Sequence, residues 1–231
     1  FSMHAPAITD TFDDFLGQIR DSRRAIGGPH DPYTSAIRVL ADTGIRVSEL
    51  VRLRVSDWDE KKQTLLIRDK HGKLSRTIEL NKRTTATLFA HLHAHGWKWD
   101  EHRKSYVRDI GRWYADIGDG IGWHSDVEDD GFLFERDELD RTPMEASTLR
   151  AVWKSATRRT GFFVGSTLHY LRERYADELL RAGHTLSEVA GRLGHGQALE
   201  LPLVFMEKLE EGEDHPSRVR KLVAEHLAAK C

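Results

Sequence analysis

TLHYLRERYADELLRAGHTLSEVAGRLGH, residues 167–195, is the stretch on which the reading of the fold turns. Leu168, Leu171, Tyr175 and Leu179 recur at helical spacing, so His169 and Arg172, three apart, share a helix face. Gly183 is placed to stop that helix as a C′ residue. Thr185 with Glu188 forms a capping box that starts a second helix, which runs out at Leu193-Gly194-His195. The pattern predicts a helix–turn–helix that gathers His169, Arg172 and His195 into a cradle suited to an anion.

Upstream, Asp31 as N-cap and Pro32 at N1 open a helix with Ile37, Leu40 and Ala41 facing inward, closed by Thr43-Gly44. A further helix starts within a residue or two, at Ile45-Arg46-Val47-Ser48-Glu49-Leu50. Arg46 thus sits at a helix junction, where a guanidinium and a helix N-terminus both favour anions. Residues 64–80, TLLIRDKHGKLSRTIEL, alternate as two strands about His71-Gly72, with Lys70 and Lys73 at the tip. Lysines on such a tip also keep an exposed edge soluble.

The remaining elements are read in the same way. Phe12, Phe15, Leu16 and Ile19 mark an amphipathic helix over 10–26, ended by Gly27-Gly28-Pro29. A helix over 84–96 ends in His91, His93 and His95; only the outer two share a face and no third ligand is at hand, so they read as solvated side chains. Residues 97–123, rich in Trp and Gly, read as an irregular insertion packed by aromatics. Thr142-Pro143-Met144 begins a helix through Leu149, Val152 and Trp153, whose outer face carries Arg150, Lys154, Arg158 and Arg159 as a basic stripe. Gly161 ends it ahead of Phe162-Phe163-Val164, which reads as buried or nearly so. Residues 202–208 read as a short apolar helix. After a charged linker, Val219, Leu222, Val223 and Leu227 mark a last amphipathic helix, which folds back on its own core or docks on a neighbour.

Composition bounds the classes. The 231 residues, 39% hydrophobic and 31% charged, suit one sizeable domain or two small ones, and no apolar run approaches a membrane span. Phe1-Ser2 ahead of Met3 reads as an expression remnant. The single cysteine, Cys231, excludes a disulfide framework and a zinc–cysteine site and fits a reducing cytosol. Residues 126–140 hold eight acids against Arg136, a local charge of −7, which leaves the rest of the chain at +5 against the whole-chain −2. A mildly basic body with one acidic protrusion is compatible with DNA binding and does not demand it. The elements together indicate a mostly α domain with a small antiparallel sheet, an α+β class.

TGIRVSEL (43–50), the lysine-bearing hairpin (64–80), HYLR (169–172) and LGH (193–195) stand in one order. With these motifs the chain resembles the catalytic domain of the tyrosine recombinases, the phage-integrase superfamily, over about residues 30–210. The resemblance implies a catalytic domain over 29–212 with an insertion around 97–141. Residues 1–28 would hold only a remnant, or mark the absence, of the family's N-terminal core-binding domain, as in a truncated or minimal member. Residues 213–231 would form a C-terminal linker and helix able to dock on a neighbouring protomer. The implied activity is cutting and rejoining double-stranded DNA at a specific recombination site through a 3′-phosphotyrosine, with no cofactor and no metal. The implied partners are DNA and further copies of the chain, as a dimer or tetramer; the implied location is the cytoplasm, at the nucleoid.

The resemblance also assigns roles. Arg46 and Arg172 would bind the non-bridging oxygens, Lys70 would protonate the leaving 5′-oxygen with Lys73 as the alternative, His169 would assist proton transfer and His195 would bind the phosphate. Arg150, Lys154, Arg158 and Arg159 would face DNA. One element departs from the pattern: residues 196–210, GQALELPLVFMEKLE, contain no Tyr, Ser or Thr, and Phe205 falls where the nucleophilic tyrosine belongs. That reads as a Tyr→Phe form, engineered or natural, lacking the nucleophile. The alternatives are a DNA-binding regulator with a decayed site, or a relative of the type IB topoisomerases and telomere resolvases.

Overall fold

The computed structural model describes residues 8–27, 31–116, 120–128, 130–137 and 142–194. The expected helix over 202–208, the C-terminal helix, His195 and Phe205 lie outside the described residues.

Seven helices among the described residues carry the fold: α1 (Ile8–Gly27), α2 (Pro32–Thr43), α3 (Val47–Leu50), α4 (Lys82–Ala94), α5 (Ala146–Thr160), α6 (His169–Arg181) and α7 (Leu186–Leu193). Local chemistry sets their ends as expected. Asp31 caps α2 by accepting from the Thr34 N–H, Gly44 ends it in the left-handed region, and Thr185 with Glu188 closes a capping box on α7. The central helix is α2, which packs on α6 and α4, while α1 lies across α2 and α5. Phe15, fully buried, meets Trp153, Phe162 and Phe163 edge to face.

The strands β1 (Trp58–Asp59), β2 (Thr64–Arg68) and β3 (Leu74–Glu79) form one antiparallel sheet in the order β1-β2-β3. Leu65 pairs with Ile78 across it, and both side chains enter the core. The class is therefore the expected α+β, with helices dominant.

Several local expectations change. Residues 97–123 do not hold an irregular loop: β4 (Trp97–Asp100), β5 (Ser105–Asp116) and β6 (Gly120–Glu128) form a second antiparallel sheet. Trp, Tyr, Val and Ile suit a pleated surface, and the glycines concealed the alternation. β7 (Glu135–Asp137) and β8 (Thr142–Pro143) pair with each other, so α5 begins at Ala146 rather than at Thr142. His91 is not solvated; it is buried, its Nε2 lies 2.8 Å from the Leu133 carbonyl, and its ring packs on Phe134. Val164 is 68% exposed, because the turn after α5 projects it outward.

Truncating Phe15 empties the point where α1 joins α5. Phe15→Ala should cost about 3–5 kcal/mol of stability, read as a lowered urea midpoint with an unchanged slope.

Candidate active site

A cavity of about 250 Å³ opens where the α2–α3 junction meets α5 and α6, and Arg46, Ser48, Arg150, Thr167, His169 and Arg172 are among the residues lining it. Four of the expected side chains thus meet in one place: Arg46, Arg150, His169 and Arg172.

Arg172 forms the floor. It is 5% exposed; Nη1 donates to the Gly44 carbonyl at 2.6 Å and Nη2 to the Leu193 carbonyl at 2.7 Å. Burial, followed by the nearby Arg46 charge, pulls its pKa down to about 10, with Glu49 opposing and Arg76 adding to the shift. It stays cationic at neutral pH. The two carbonyls aim the guanidinium without neutralising it. Gly44 has φ +63, and a Cβ there would lie 2.8 Å from Leu193 Cδ2, so the residue must be glycine for α2 to turn this close to α7.

Arg46 is the N-cap of α3 and stands more open, at 43% side-chain exposure. Its Nη1 is 3.5 Å from Glu49 Oε1 and 3.4 Å from the Gly194 carbonyl. Its backbone N–H donates to Glu49 Oε2 at 2.8 Å, the returning half of a capping box. His169 begins α6 on the rim, 61% exposed, with Nε2 3.7 Å from Glu173 Oε1.

Glu49 and Arg76 are the residues that motif reading passed over. Glu49 takes both ends of the Arg76 guanidinium at 2.9 Å, and each side chain is 9% exposed. Arg76 Nε donates onward to the Arg192 carbonyl at 2.8 Å. Burial works to raise the Glu49 pKa, but the hydrogen bonds from Arg76 and the Arg46 N–H, with the charges of both arginines, outweigh it and hold the pKa below 4.5. Two signals were available: Glu49 stands three after Arg46, and Arg76 shares the inner face of β3 with Ile78.

Other expected residues lie apart from this cavity. Lys70 and Lys73 are exposed at the β2–β3 turn, where Asp69 Oδ1 accepts the N–H groups of His71 and Lys73. Lys154, Arg158 and Arg159 line a shallower depression of about 470 Å³ along α5, and Arg159 donates to Ser22 Oγ. Among the described residues no cluster of three metal-ligating side chains occurs.

The sequence profile of the phage integrase family matches residues 27–199. The chain belongs to this family. An integrase/recombinase of Escherichia coli is 27% identical over 203 residues, covering 82% of this chain and 58% of that protein; one of Pseudomonas aeruginosa matches equally. The chain thus spans under two thirds of the length of these relatives. Among solved structures, XerA recombinase superposes with a TM-score of 0.58 at 21% identity, covering 93% of this chain and 62% of that one. A Tyr→Phe form of the Tn1549 transposon integrase, in complex with transposon right end DNA, gives 0.56 at 18%, covering 99% and 67%. At these identities the likeness establishes the integrase fold.

Glu49 is the carboxylate facing Arg76 and Arg46, so Glu49→Gln should destabilise the domain by about 3–5 kcal/mol, the usual cost of breaking a buried pair. Because the Glu49 pKa is depressed on folding, its contribution is complete above the ordinary value of 4.5 and is lost as pH falls through the lower folded value. Urea titrations between pH 3 and 7 should accordingly show a shallower acid loss in the variant than in the parent.

Proposed function

We propose that this integrase-family domain is the catalytic part of a site-specific DNA recombinase, present here without its nucleophilic hydroxyl. The observation that carries the reading is the cavity between α3, α5 and α6, where Arg172 is buried and held by two backbone carbonyls beside Arg46 and His169. A buried cation satisfied only by neutral carbonyls retains its charge for an incoming anion. Two guanidiniums on one phosphodiester stabilise the charge that builds on its non-bridging oxygens as phosphorus becomes pentacoordinate.

In the reaction proposed, a tyrosine hydroxyl at position 205 attacks phosphorus, the P–O5′ bond breaks, and the 3′-phosphate is held covalently. The 5′-oxygen takes a proton from a hairpin lysine, Lys70 or alternatively Lys73. His169, on the rim, accepts the proton that the hydroxyl gives up, and His195 adds a contact to the phosphate. Religation reverses these steps, so the chemistry calls for no metal and no cofactor.

The domain boundaries follow the same reading: α1 and what precedes it, a catalytic domain over 29–212 with the sheet insertion at 97–141, and a C-terminal segment over 213–231 that docks on a neighbouring protomer. DNA at a specific site and further copies of this chain, as dimer or tetramer, are the partners. The relatives are named for integration and recombination, and the DNA-bound Tn1549 integrase supports the DNA assignment. The setting for such chemistry is the cytoplasm at the nucleoid, and no helix among the described residues is long and apolar enough to cross a membrane.

Phe205→Tyr should restore covalent attachment to a suicide duplex carrying the cognate site, detected as a protein–DNA adduct stable to SDS. Tight DNA binding with no adduct from the revertant would favour the DNA-binding regulator instead. Site-independent relaxation of supercoiled plasmid would favour the type IB topoisomerase relationship.

The stripe on α5 has its own test. Arg150, Lys154 and Arg158 make no ion pair or hydrogen bond among the described residues, and all three are exposed. If each neutralises one phosphate, Arg150→Gln and Lys154→Gln should each lower the slope of log K against log salt by about 0.9, measured by fluorescence anisotropy on duplex DNA.

A further inference from the structure

The hairpin that carries Lys70 and Lys73 is fastened to the rest of the domain on both sides of its tip. In β2, Arg68 Nε donates to the buried Asp57 carboxylate at 2.6 Å. In β3, Arg76 forks onto the buried Glu49 and adds its bond to the Arg192 carbonyl. Asp57 and Glu49 are set up alike. Each stands three residues after an N-cap arginine, Arg54 or Arg46, and accepts that residue's backbone N–H. Each carboxylate therefore caps a turn with one oxygen and receives a hairpin arginine as well.

The two fastenings differ in reach. Arg68 holds the hairpin to the turn that precedes β1 and goes no further. Arg76 ends at three places at once: β3, the cap of α3 that carries Arg46, and the last turn of α7, which leads into His195. The α7 end is fitted around it, because Gly194 has φ +70 and a Cβ there would come within 2.7 Å of Arg76 Cζ. A guanidinium is the side chain suited to this: it is planar, and here three of its five N–H groups go to three acceptor atoms on two residues of different elements.

We propose that Arg76 is a positioning residue for the general acid: it sets the lysine hairpin against the phosphate-binding arginines and the end of α7. This rests on the recombinase reading above, in which a hairpin lysine protonates the 5′-oxygen. Arg76 itself touches neither substrate nor the reacting atoms. Because a proton is transferred only over hydrogen-bonding distance, a hairpin displaced by an ångström leaves the 5′-oxygen unprotonated while the arginine clamp still holds the phosphate.

The test uses Arg76→Ala and Arg76→Lys, made with Phe205→Tyr, on two duplexes that differ at the cleavage point. One carries the ordinary phosphodiester. The other carries a 5′-bridging sulfur, whose thiolate leaves without needing a proton. Arg76→Ala should cleave the ordinary duplex at least ten-fold more slowly than the Phe205→Tyr parent and the sulfur duplex within about three-fold of it, the pattern expected of Lys70→Ala. Arg76→Lys, which keeps the charge but not the fork, should fall between. Equal loss on both duplexes would place Arg76 in support of the phosphate clamp and overturn the proposal.

Hydrogen exchange on the chain with Phe205 in place reads the positioning without catalysis. Both variants should exchange the amides of 64–79 and 186–194 at least ten-fold faster while α2 and α5 keep their protection. Unchanged exchange at the hairpin, or loss of protection throughout in both variants, would equally overturn it. If the Phe205→Tyr parent forms no adduct on either duplex, the nucleophile assignment fails, and hydrogen exchange alone decides whether Arg76 fixes the hairpin.

Discussion

A buried carboxylate facing two guanidiniums is the constraint from which the rest of the site follows. Glu49 bonds the Arg76 fork and the Arg46 backbone, and the Arg46 guanidinium stands 3.5 Å away. An ion buried in this way is costly unless it is paired and hydrogen-bonded, and here three hydrogen bonds and two guanidiniums meet it. The geometry is then over-determined. α3 is capped from within, β3 is held to α3, and Arg46 is left facing outward because the inner side of the carboxylate is already taken. The charge that remains uncompensated at the rim is positive, which is what an anion site requires.

Backbone carbonyls do for Arg172 what a carboxylate does for Arg76. Two carbonyl dipoles orient a buried guanidinium yet leave its unit charge intact, so the electrostatic field at the cavity is set by folding rather than by a mobile counterion. One carbonyl belongs to Gly44 at the end of α2 and the other to Leu193 at the end of α7. Arg172 therefore cannot be in place unless both helices have terminated correctly. The glycines that end these helices are as much part of the site as the arginines.

How much of this was legible in the sequence follows from the range of each signal. The capping box at Thr185, the Asp31-Pro32 start and the alternation of 64–80 are local, and each element formed where expected. The grouping of Arg46 with Arg172 came through motif order, since nothing local joins residues so far apart in the chain. Glu49 and Arg76 were passed over because a Glu near a helix start reads as a routine cap, and an Arg in an edge strand reads as a solubilising charge. Only their pairing across 27 positions shows that neither faces solvent. The second sheet was hidden by glycine-broken alternation, and His91 by its neighbours: its burial depends on Leu133 and Phe134, which the chain brings back only after that sheet.

The two carboxylates that fasten the hairpin also account for why the lysine sits on a strand turn at all. On the recombinase reading proposed above, a general acid would have to reach the leaving oxygen while the arginines hold the phosphate still, so the two functions would need different mobility. Placing the arginines at helix ends, where each is fixed by backbone groups, provides the rigid part. Placing the lysine on an exposed turn leaves its long side chain free to reach. The turn itself is held by Asp69, whose side chain accepts two N–H groups across it, by Arg68 at the end of β2 and by Arg76 within β3. The lysine's reach is thus supplied by its own four-carbon stem, with the strands on either side anchored. Loosening either strand anchor would transfer that freedom to the whole hairpin, so on the proposed reading the geometry of proton delivery would be lost before the binding of phosphate was.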